Sequence, residues 1–271
     1  MAPVSTQNSS LPRPVSTFGI RSPSVERLAW ALGSLLVLGL LWQIAADLAQ
    51  DKYFPSPVTV FGVLQREIAH GDLFAHVRAT MVRVAIAFAL AMFIGSAIGL
   101  VLGRFKLADR FFDTWLILVL NLPALVIISL CYVWLGMNDT AAVLAVALNQ
   151  IPNVAVTMRE GARSLSRDLA EMAQVYKFGT GKTLRHVILP QLASFFAAAS
   201  RSGLALVWKI VLVVEALGGS GRGVGYQIYI AFGNFDVETI LAYALAFIAI
   251  VQVIEFAILQ PLQARVNQWR R

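Results

Sequence analysis

Six long apolar blocks constrain the fold of this chain more than any other feature of its sequence. They are residues 28–46, 84–103, 114–137, 140–158, 192–214 and 239–259. Each block comes close to or exceeds the roughly 20 residues with which an α-helix crosses a hydrocarbon core of about 30 Å. Inside hydrocarbon, a helix satisfies its backbone polar groups without outside partners. We therefore predict an all-α integral membrane protein with six transmembrane helices.

Composition supports a membrane protein and argues against a soluble nucleic-acid-binding protein. The chain is 58% hydrophobic and 14% charged, whereas soluble domains average roughly 45–50% apolar and about 25% charged residues. The net charge of +7 comes mainly from Lys and Arg between the apolar blocks, where they act as orientation signals. With a single cysteine, Cys131, and three scattered histidines, we predict neither an intrachain disulfide nor a metal site.

The distribution of Lys and Arg predicts the topology. Most of them fall in alternate connections, which include residues 159–190 and both ends of the chain. By the positive-inside rule these segments are cytoplasmic. Residues 1–26 contain four prolines among serines and are predicted to form a disordered cytoplasmic tail. Residues 27–271 are predicted to form the transmembrane domain of a multi-pass membrane protein.

The fourth block is the least apolar. It contains Asn149, Gln150, Pro152 and Asn153, which are tolerated at membrane depth only where a helix is buried against protein or lines a wet cavity. We therefore expect this helix to be surrounded by the rest of the protein.

The segment between the fourth and fifth blocks resembles the cytoplasmic signature of ABC-importer permeases. It runs from Glu171-Met172-Ala173-Gln174-Val175-Tyr176 to Ile188-Leu189-Pro190, with Pro190 19 residues after Glu171. The resemblance implies a coupling segment over about 164–190 that docks an ATPase. Its implied coupling residues are Glu171, Ala173, Tyr176, Gly179, Arg185, Leu189 and Pro190.

A wider resemblance, over roughly residues 30–270, is to the nitrate/sulfonate/taurine branch of these permeases. It includes Phe54-Pro55-Ser56-Pro57, Trp134-Leu135-Gly136 and Glu215-Ala216-Leu217-Gly218. The resemblance implies a type I ABC-importer permease fold in the bacterial inner membrane and a second permease subunit, which is either a second copy in a homodimer or a close relative. It also implies two cytoplasmic ABC ATPase subunits and an extracytoplasmic substrate-binding protein. It also implies that this chain is not an enzyme.

Two details of the coupling segment affect this interpretation. Lys177 stands where the family usually has glycine, so Gly179 or Gly181 is expected to supply the positive φ that ends the first helix. Glu171 is expected near the start of that helix.

The run Gly179–Thr183 lacks the first glycine of a phosphate-binding loop, since Tyr176 stands there. We therefore expect no cofactor on this chain, and ATP and Mg on the partner ATPase.

Glycines mark two further features. Gly95, Gly99 and Gly103 recur every four residues and predict a close helix–helix contact, either within the subunit or between two copies. A second cluster follows the fifth block and is interpreted as an external gate loop or a docking surface for the binding protein, with a plain flexible turn as the alternative. It comprises Gly218, Gly219, Gly221, Gly223 and Gly225.

Polar residues within the apolar blocks are candidates for lining a translocation pathway. They are Asn121, Asn149, Arg201, Lys209 and Glu215. The cations favour a small anionic solute, although snorkelling or local ion pairs would also explain them. A proton-coupled transporter using Glu215 or Glu255 is the alternative function. A membrane enzyme is disfavoured because the sequence shows no clustered acid, base or metal set.

The topology leads to a direct test. In a variant carrying Arg167→Cys, the new thiol should react with a membrane-permeant maleimide and not with an impermeant reagent applied to intact cells, because residue 167 is predicted to be cytoplasmic. Labelling is measured by gel shift, and unmodified protein with only Cys131 is the control. Labelling from outside would reverse the topology.

Overall fold

The computed structural model describes residues 23–218 and 221–261. The chain divides into two compact units, residues 1–50 and 51–271. In the first unit the described residues form helix α1, Pro23–Ala49. In the second unit they form helices α2 Pro57–His70, α3 Leu73–Arg104, α4 Lys106–Leu120, α5 Ala124–Leu135, α6 Asp139–Arg163, α7 Arg167–Val175, α8 Thr180–Thr183, α9 Leu189–Gly218, α10 Val224–Gly233 and α11 Val237–Ile254.

Short π-helical turns join α8 to α9 over Leu184–Ile188 and extend α11 over Glu255–Leu259. The predicted disordered tail lies outside the described residues except for its last four positions, which belong to α1. Ser56 caps α2 by accepting from the Thr59 backbone N–H at 3.3 Å, and Pro57 occupies its first turn, as helix-start preferences dictate.

Five helical segments of the described chain are long and apolar enough to cross a membrane, and the bent pair α4–α5 brings the number to six if it forms one crossing. This architecture agrees with the predicted all-α class. The second predicted span, 84–103, is the C-terminal two thirds of a longer helix, since α3 begins at Leu73. His76, Thr80 and Arg83 therefore belong to this helix rather than to a loop.

The third predicted span, 114–137, differs from a single helix. It is broken between α4 and α5, whose axes meet at 92°. Pro123 has no N–H to continue the helical ladder and disfavours helical geometry at the residue before it. Asn121 closes the end of α4, because its side-chain Nδ2 donates to the Ile117 carbonyl at 2.7 Å.

Helix α6 is the central element of the second unit, as expected from its polar residues. More than half of its most apolar stretch is buried, and it packs on both α3 and α9. The larger apolar core includes Val146 of α6, Ile128 of α5, Val207 and Val211 of α9 and Tyr243 of α11.

The glycine ladder of α3 lies against α6 of the same chain. A Cβ at Gly95 would lie 2.8 Å from the Ile151 carbonyl oxygen, and one at Gly99 would lie 2.5 Å from the Ala155 carbonyl oxygen. Gly103 similarly faces Ala162. The absence of side chains lets the two backbones touch over more than two helical turns, which is how small residues drive helix association in membranes.

We predict that Gly99→Ala destabilises the protein by about 1–3 kcal/mol, the usual cost of overpacking, because the obstructing atom belongs to the α6 backbone. The matched control is Gly62→Ala in α2, where a Cβ would meet no atom within 4 Å and helix propensity favours alanine by up to about 1 kcal/mol. Thermal unfolding in detergent is the measurement. Equal stability of both variants would contradict the packing argument.

Candidate functional site

Hydrogen bonds of Ser166 and Gln191 hold the start of the coupling segment. Ser166 caps α7 by accepting from the Leu169 N–H at 3.4 Å, which supplies a partner for a free donor at the helix start. The Ser166 N–H itself donates to Gln191 Oε1 at 2.9 Å, and Gln191 Nε2 donates to the Val187 carbonyl at 2.8 Å. Gln191 therefore ties the start of α7 to the first turn of α9.

The turn after α7 closes at Lys177. Its φ of 49° is left-handed, the Lys177 N–H donates to the Gln174 carbonyl at 2.9 Å and the Phe178 N–H donates to the Ala173 carbonyl at 2.8 Å. This pair of bonds is the Schellman motif, in which glycine is preferred. The expectation that Gly179 or Gly181 takes over this role is wrong, because Gly179 has a φ of −66° and Lys177 adopts the strained conformation itself.

The surface of the coupling segment combines a buried small residue with exposed apolar ones. Ala173 is buried, whereas Val175 and Tyr176 are 78% and 71% exposed. The remaining predicted coupling residues are all exposed, namely Glu171, Gly179, Arg185, Leu189 and Pro190. Glu171 is the fifth residue of α7 rather than a first-turn residue, and Asp168 occupies the position that the helix dipole favours.

The coupling segment is packed onto membrane helices. Val187 and Leu192 are buried, and Leu192 belongs to a core cluster with Met92 of α3 and Met158 of α6. Phe195 of α9 lies against Gly161 of α6, where a Cβ would be 2.8 Å from the ring. The coupling segment is thus continuous with a part of α9 that packs on α3 and α6.

Ion pairs hold α4 to the C-terminal end of α6. Arg159 lies 2.5 Å from Asp113 and 3.3 Å from Asp109, and Arg163 pairs with Asp109 and with Glu160. Because Asp109 and Asp113 are one turn apart on α4, both carboxylates face α6. The first half of the broken span, α4, is thus held to α6 by ion pairs.

Arg83 forms a cluster of charged residues with Glu215 and Asp139 at the N-terminal end of α6. Arg83 Nη1 lies 2.5 Å from Glu215 Oε1, and Arg83 Nη2 lies 2.7 Å from Asp139 Oδ1. Arg83 Nη1 also donates to the Arg222 carbonyl at 2.7 Å. Glu215 is 0% exposed. One arginine therefore joins α3, α6, α9 and the segment that leads into α10.

Backbone donors complete this cluster. The Gly225 N–H donates to Glu215 Oε2 at 2.9 Å, and Thr80 Oγ1 donates to the same oxygen at 2.9 Å. The Val224 N–H donates to Thr80 Oγ1, and the Gly223 N–H donates to His76 Nδ1 at 3.0 Å. The first turn of α10 is consequently held by three side chains of α3 and α9.

The glycines of the predicted external gate loop are of two kinds. Gly221 has a φ of 76° and is exposed, so it fits the expected turn. Gly223 and Gly225 are buried, and a Cβ on them would collide with Glu215 and with the Leu212 carbonyl. Gly223 also has a φ of 138°, so this position requires glycine for its backbone conformation as well as for close packing, whereas Gly225 serves close packing. Gly218 lies beside Met137 and Tyr132, and Gly219 lies outside the described residues.

The five predicted pathway residues separate into two groups. Arg201 and Lys209 of α9 are exposed, as is Asn121 at the α4–α5 break, and Asn149 is half-buried. Arg201 also lies 3.7 Å from Glu255. Glu215, in contrast, is fully buried in its pair with Arg83. In this conformation it lines no open surface of the described residues, and its place in a pathway stays a prediction. This closed pair also argues against Glu215 as a free proton carrier.

Sequence reasoning missed two groups of residues that hold the helices together. Arg83 lies just before the apolar block 84–103, and nothing in that block indicates that Arg83 pairs with Glu215 and Asp139. Its partner Glu215 is 132 residues away, and no local pattern indicates such a pairing. Gln191 was also missed, because its role depends on the return of the chain to Ser166.

Several helices long enough to span a membrane, with an exposed helix–turn–helix between α6 and α9, form the arrangement expected of the membrane permease component of an ABC importer. The family model for the inner membrane component of binding-protein-dependent transport systems matches residues 91–266. The chain therefore belongs to that family.

Individual similarities agree with this assignment. The chain is 28% identical to a Bacillus subtilis (strain 168) protein named as an aliphatic sulfonates transport permease, SsuC, over 96% of this chain and 95% of that protein. It is 25% identical to the taurine transport system permease protein TauC of Escherichia coli (strain K12), over 92% of each. The fold resembles an inward-facing structure of the MetNI methionine ABC transporter with a TM-score of 0.63, covering 74% of this chain and 98% of that chain at 18% identity.

We predict that Glu215→Gln destabilises the protein by about 3 kcal/mol, because removing one charge of a buried pair leaves the other uncompensated. The control is Glu160→Gln, since Glu160 is half-exposed in its ion pairs with Arg159 and Arg163, and surface pairs contribute about 0–1 kcal/mol. Denaturant unfolding in detergent compares the two variants. A smaller loss at Glu215 than at Glu160 would be incompatible with the burial of the pair.

We predict that Lys177→Gly stabilises the end of α7 by about 0.5–1 kcal/mol. The left-handed conformation costs a non-glycine residue roughly 1–2 kcal/mol, and the extra unfolded-state entropy of glycine offsets part of that gain. Hydrogen exchange of residues 167–178 is the readout, and slower exchange is expected. The control Lys182→Gly, inside α8, should speed local exchange. Faster exchange in Lys177→Gly would refute the strain at this turn.

Proposed function

We propose that two copies of this chain enclose a pathway for a small organic or inorganic anion. In this proposal an extracytoplasmic binding protein delivers the solute and two cytoplasmic ATPase subunits supply the energy. Both chain termini are cytoplasmic in this arrangement. Support for the partners comes from the family membership, since the family is defined by binding-protein-dependent transport.

The observation that carries the anion assignment is the exposed face of α9. Arg201 and Lys209 both lie on it, eight residues or about 12 Å apart along the helix. Arg201 is partly neutralised by Glu255, whereas no carboxylate of the described residues lies within ion-pair distance of Lys209. A charge in a membrane helix costs about 2.5–3.5 kcal/mol against lipid, so this face is expected to border water or protein.

Relatives point to the same class of solute. The two proteins named above carry sulfonate and taurine in their names, and both solutes contain a sulfonate oxyanion. A lysine ammonium within the pathway gives such a group a charge-assisted hydrogen bond. We therefore favour an aliphatic sulfonate or a related oxyanion.

The coupling segment supplies the mechanism by which an ATPase acts on this pathway. Exposed Val175 and Tyr176 offer an apolar contact to a docked subunit. The hydrogen bonds of Gln191 to Ser166 and Val187 keep α7 attached to α9. When the ATPases close, the segment moves with them, and its packing on α3, α6 and α9 shifts the helices that border the pathway.

The experiment is uptake by proteoliposomes that contain the permease, its partner ATPases and the binding protein. Uptake of a radiolabelled sulfonate, nitrate or carboxylate should require ATP inside the ATPase-facing compartment and should require all three components. Uptake by the permease alone would establish the proton-coupled alternative and overturn the proposal.

We predict that Tyr176→Asp lowers co-purification of the ATPase at least tenfold, because a desolvated carboxylate would replace an apolar contact. The control is Tyr229→Asp, since Tyr229 is an exposed tyrosine of α10 on the opposite side of the predicted topology. Folding is checked by thermal unfolding of both variants. Normal ATPase binding and ATP-driven uptake in Tyr176→Asp would remove Tyr176 from the coupling surface.

A further inference from the structure

Gln150 is a buried amide whose hydrogen-bonding groups have no partner. It is 1% exposed, and neither its Nε2 nor its Oε1 forms a hydrogen bond within the described chain. Nearly all buried polar groups in folded proteins are paired. An unpaired buried amide carries its full desolvation cost, so its presence calls for a role beyond packing.

Gln150 lies near the middle of its helix. It lies 11 residues after Asp139 and 13 before Arg163, the two ends of α6. It packs against Gly203, which lies near the middle of the 30-residue helix α9. In transporters built from membrane helices, solute sites typically lie near the bilayer midplane.

Gly203 has no side chain and therefore leaves space for the Gln150 amide. A Cβ at Gly203 would lie 2.8 Å from Gln150 Nε2 and 3.7 Å from the Phe88 ring. Glycine in a helix interior is itself unfavourable relative to alanine. A leucine at 150 or an alanine at 203 would serve packing alone, so both residues are poor choices for a purely structural contact.

The residues next to this contact are polar and open. Asn149 and Asn153, one turn apart on α6, are half-buried, and Ser202 beside Gly203 is exposed. Lys209 lies about two turns farther along α9 and is exposed as well. Since the glycine ladder holds α6 against α3, a movement of α9 away from α6 is the change that would uncover the Gln150 amide. Asn149 and Ser202 each lie about 100° around their helices from Gln150 and Gly203, so they would border the opening.

We propose that Gln150, with Asn149 and Ser202, forms an oxyanion-binding subsite halfway across the membrane, at the contact between α6 and α9. The inference rests on the proposed anion pathway. Amide N–H and hydroxyl groups donate hydrogen bonds to sulfonate or carboxylate oxygens, and Lys209 lies on the outer side to attract the anion. In the conformation described here the Gln150 amide is withdrawn, and solute passage exposes it.

The test uses Gln150→Leu, which keeps the side-chain size and removes the amide. The complete transporter, with its ATPases and binding protein, is reconstituted and given the anion that the wild type transports best among taurine, nitrate and a short carboxylate. We expect uptake to fall at least tenfold at equal assembly, with a raised KM in the residual activity. We also expect the Tm of the purified permease to rise by a few degrees, because the unpaired amide is gone.

The matched control is Gln252→Leu, the same substitution at an exposed position of α11, which should leave uptake and KM unchanged. Normal uptake by Gln150→Leu would overturn the subsite while the anion pathway stands. A lower Tm with uptake reduced only in proportion to assembled protein would show that Gln150 is a packing residue. If the complete wild-type transporter moves none of the three anions, the proposed function fails and the subsite fails with it.

Discussion

The direct contact between the backbones of α3 and α6 is the constraint on which the rest of the second unit depends. Gly95 and Gly99 present no side chain toward Ile151 and Ala155, so the two helices approach closely in an environment where apolar burial alone does not favour association. With α6 fixed in this way, its other face is available to α9. That second face carries Gln150 against Gly203, where the proposed subsite lies.

Different forces stabilise the two ends of this helix group. At one end Arg83 forms a buried pair with Glu215 and also binds the more exposed Asp139 and the backbone that enters α10. At the other end Gln191 and the arginines of α6 hold the coupling segment and α4 through partly exposed bonds. Exposed bonds are weaker and easier to rearrange. The end that carries the coupling segment is therefore the easier of the two to displace.

Local patterns predicted much of the architecture, and their failures have physical causes. The apolar blocks indicated the spans because helix formation in a membrane depends only on local backbone satisfaction. The break at Pro123 follows from the backbone chemistry of proline, which a count of apolar residues does not register. The left-handed Lys177, in contrast, has a backbone set by its surroundings. At Lys177 the bonds to Gln174 and Ala173 impose a conformation that the residue type disfavours, so the preference for Gly179 or Gly181 misled the sequence interpretation.

The sequence by itself determined that this is an all-helical membrane protein with a permease signature, because hydrophobic length, charge asymmetry and motif spacing are properties of contiguous residues. Tertiary structure alone decided which polar residues are buried and which are exposed. Glu215 and Lys209 lie six residues apart on one helix, yet Glu215 is sealed against Arg83 and Lys209 is exposed. Their difference depends on partners far away in the chain, since burial is set by what packs against each helix face and not by the residue itself.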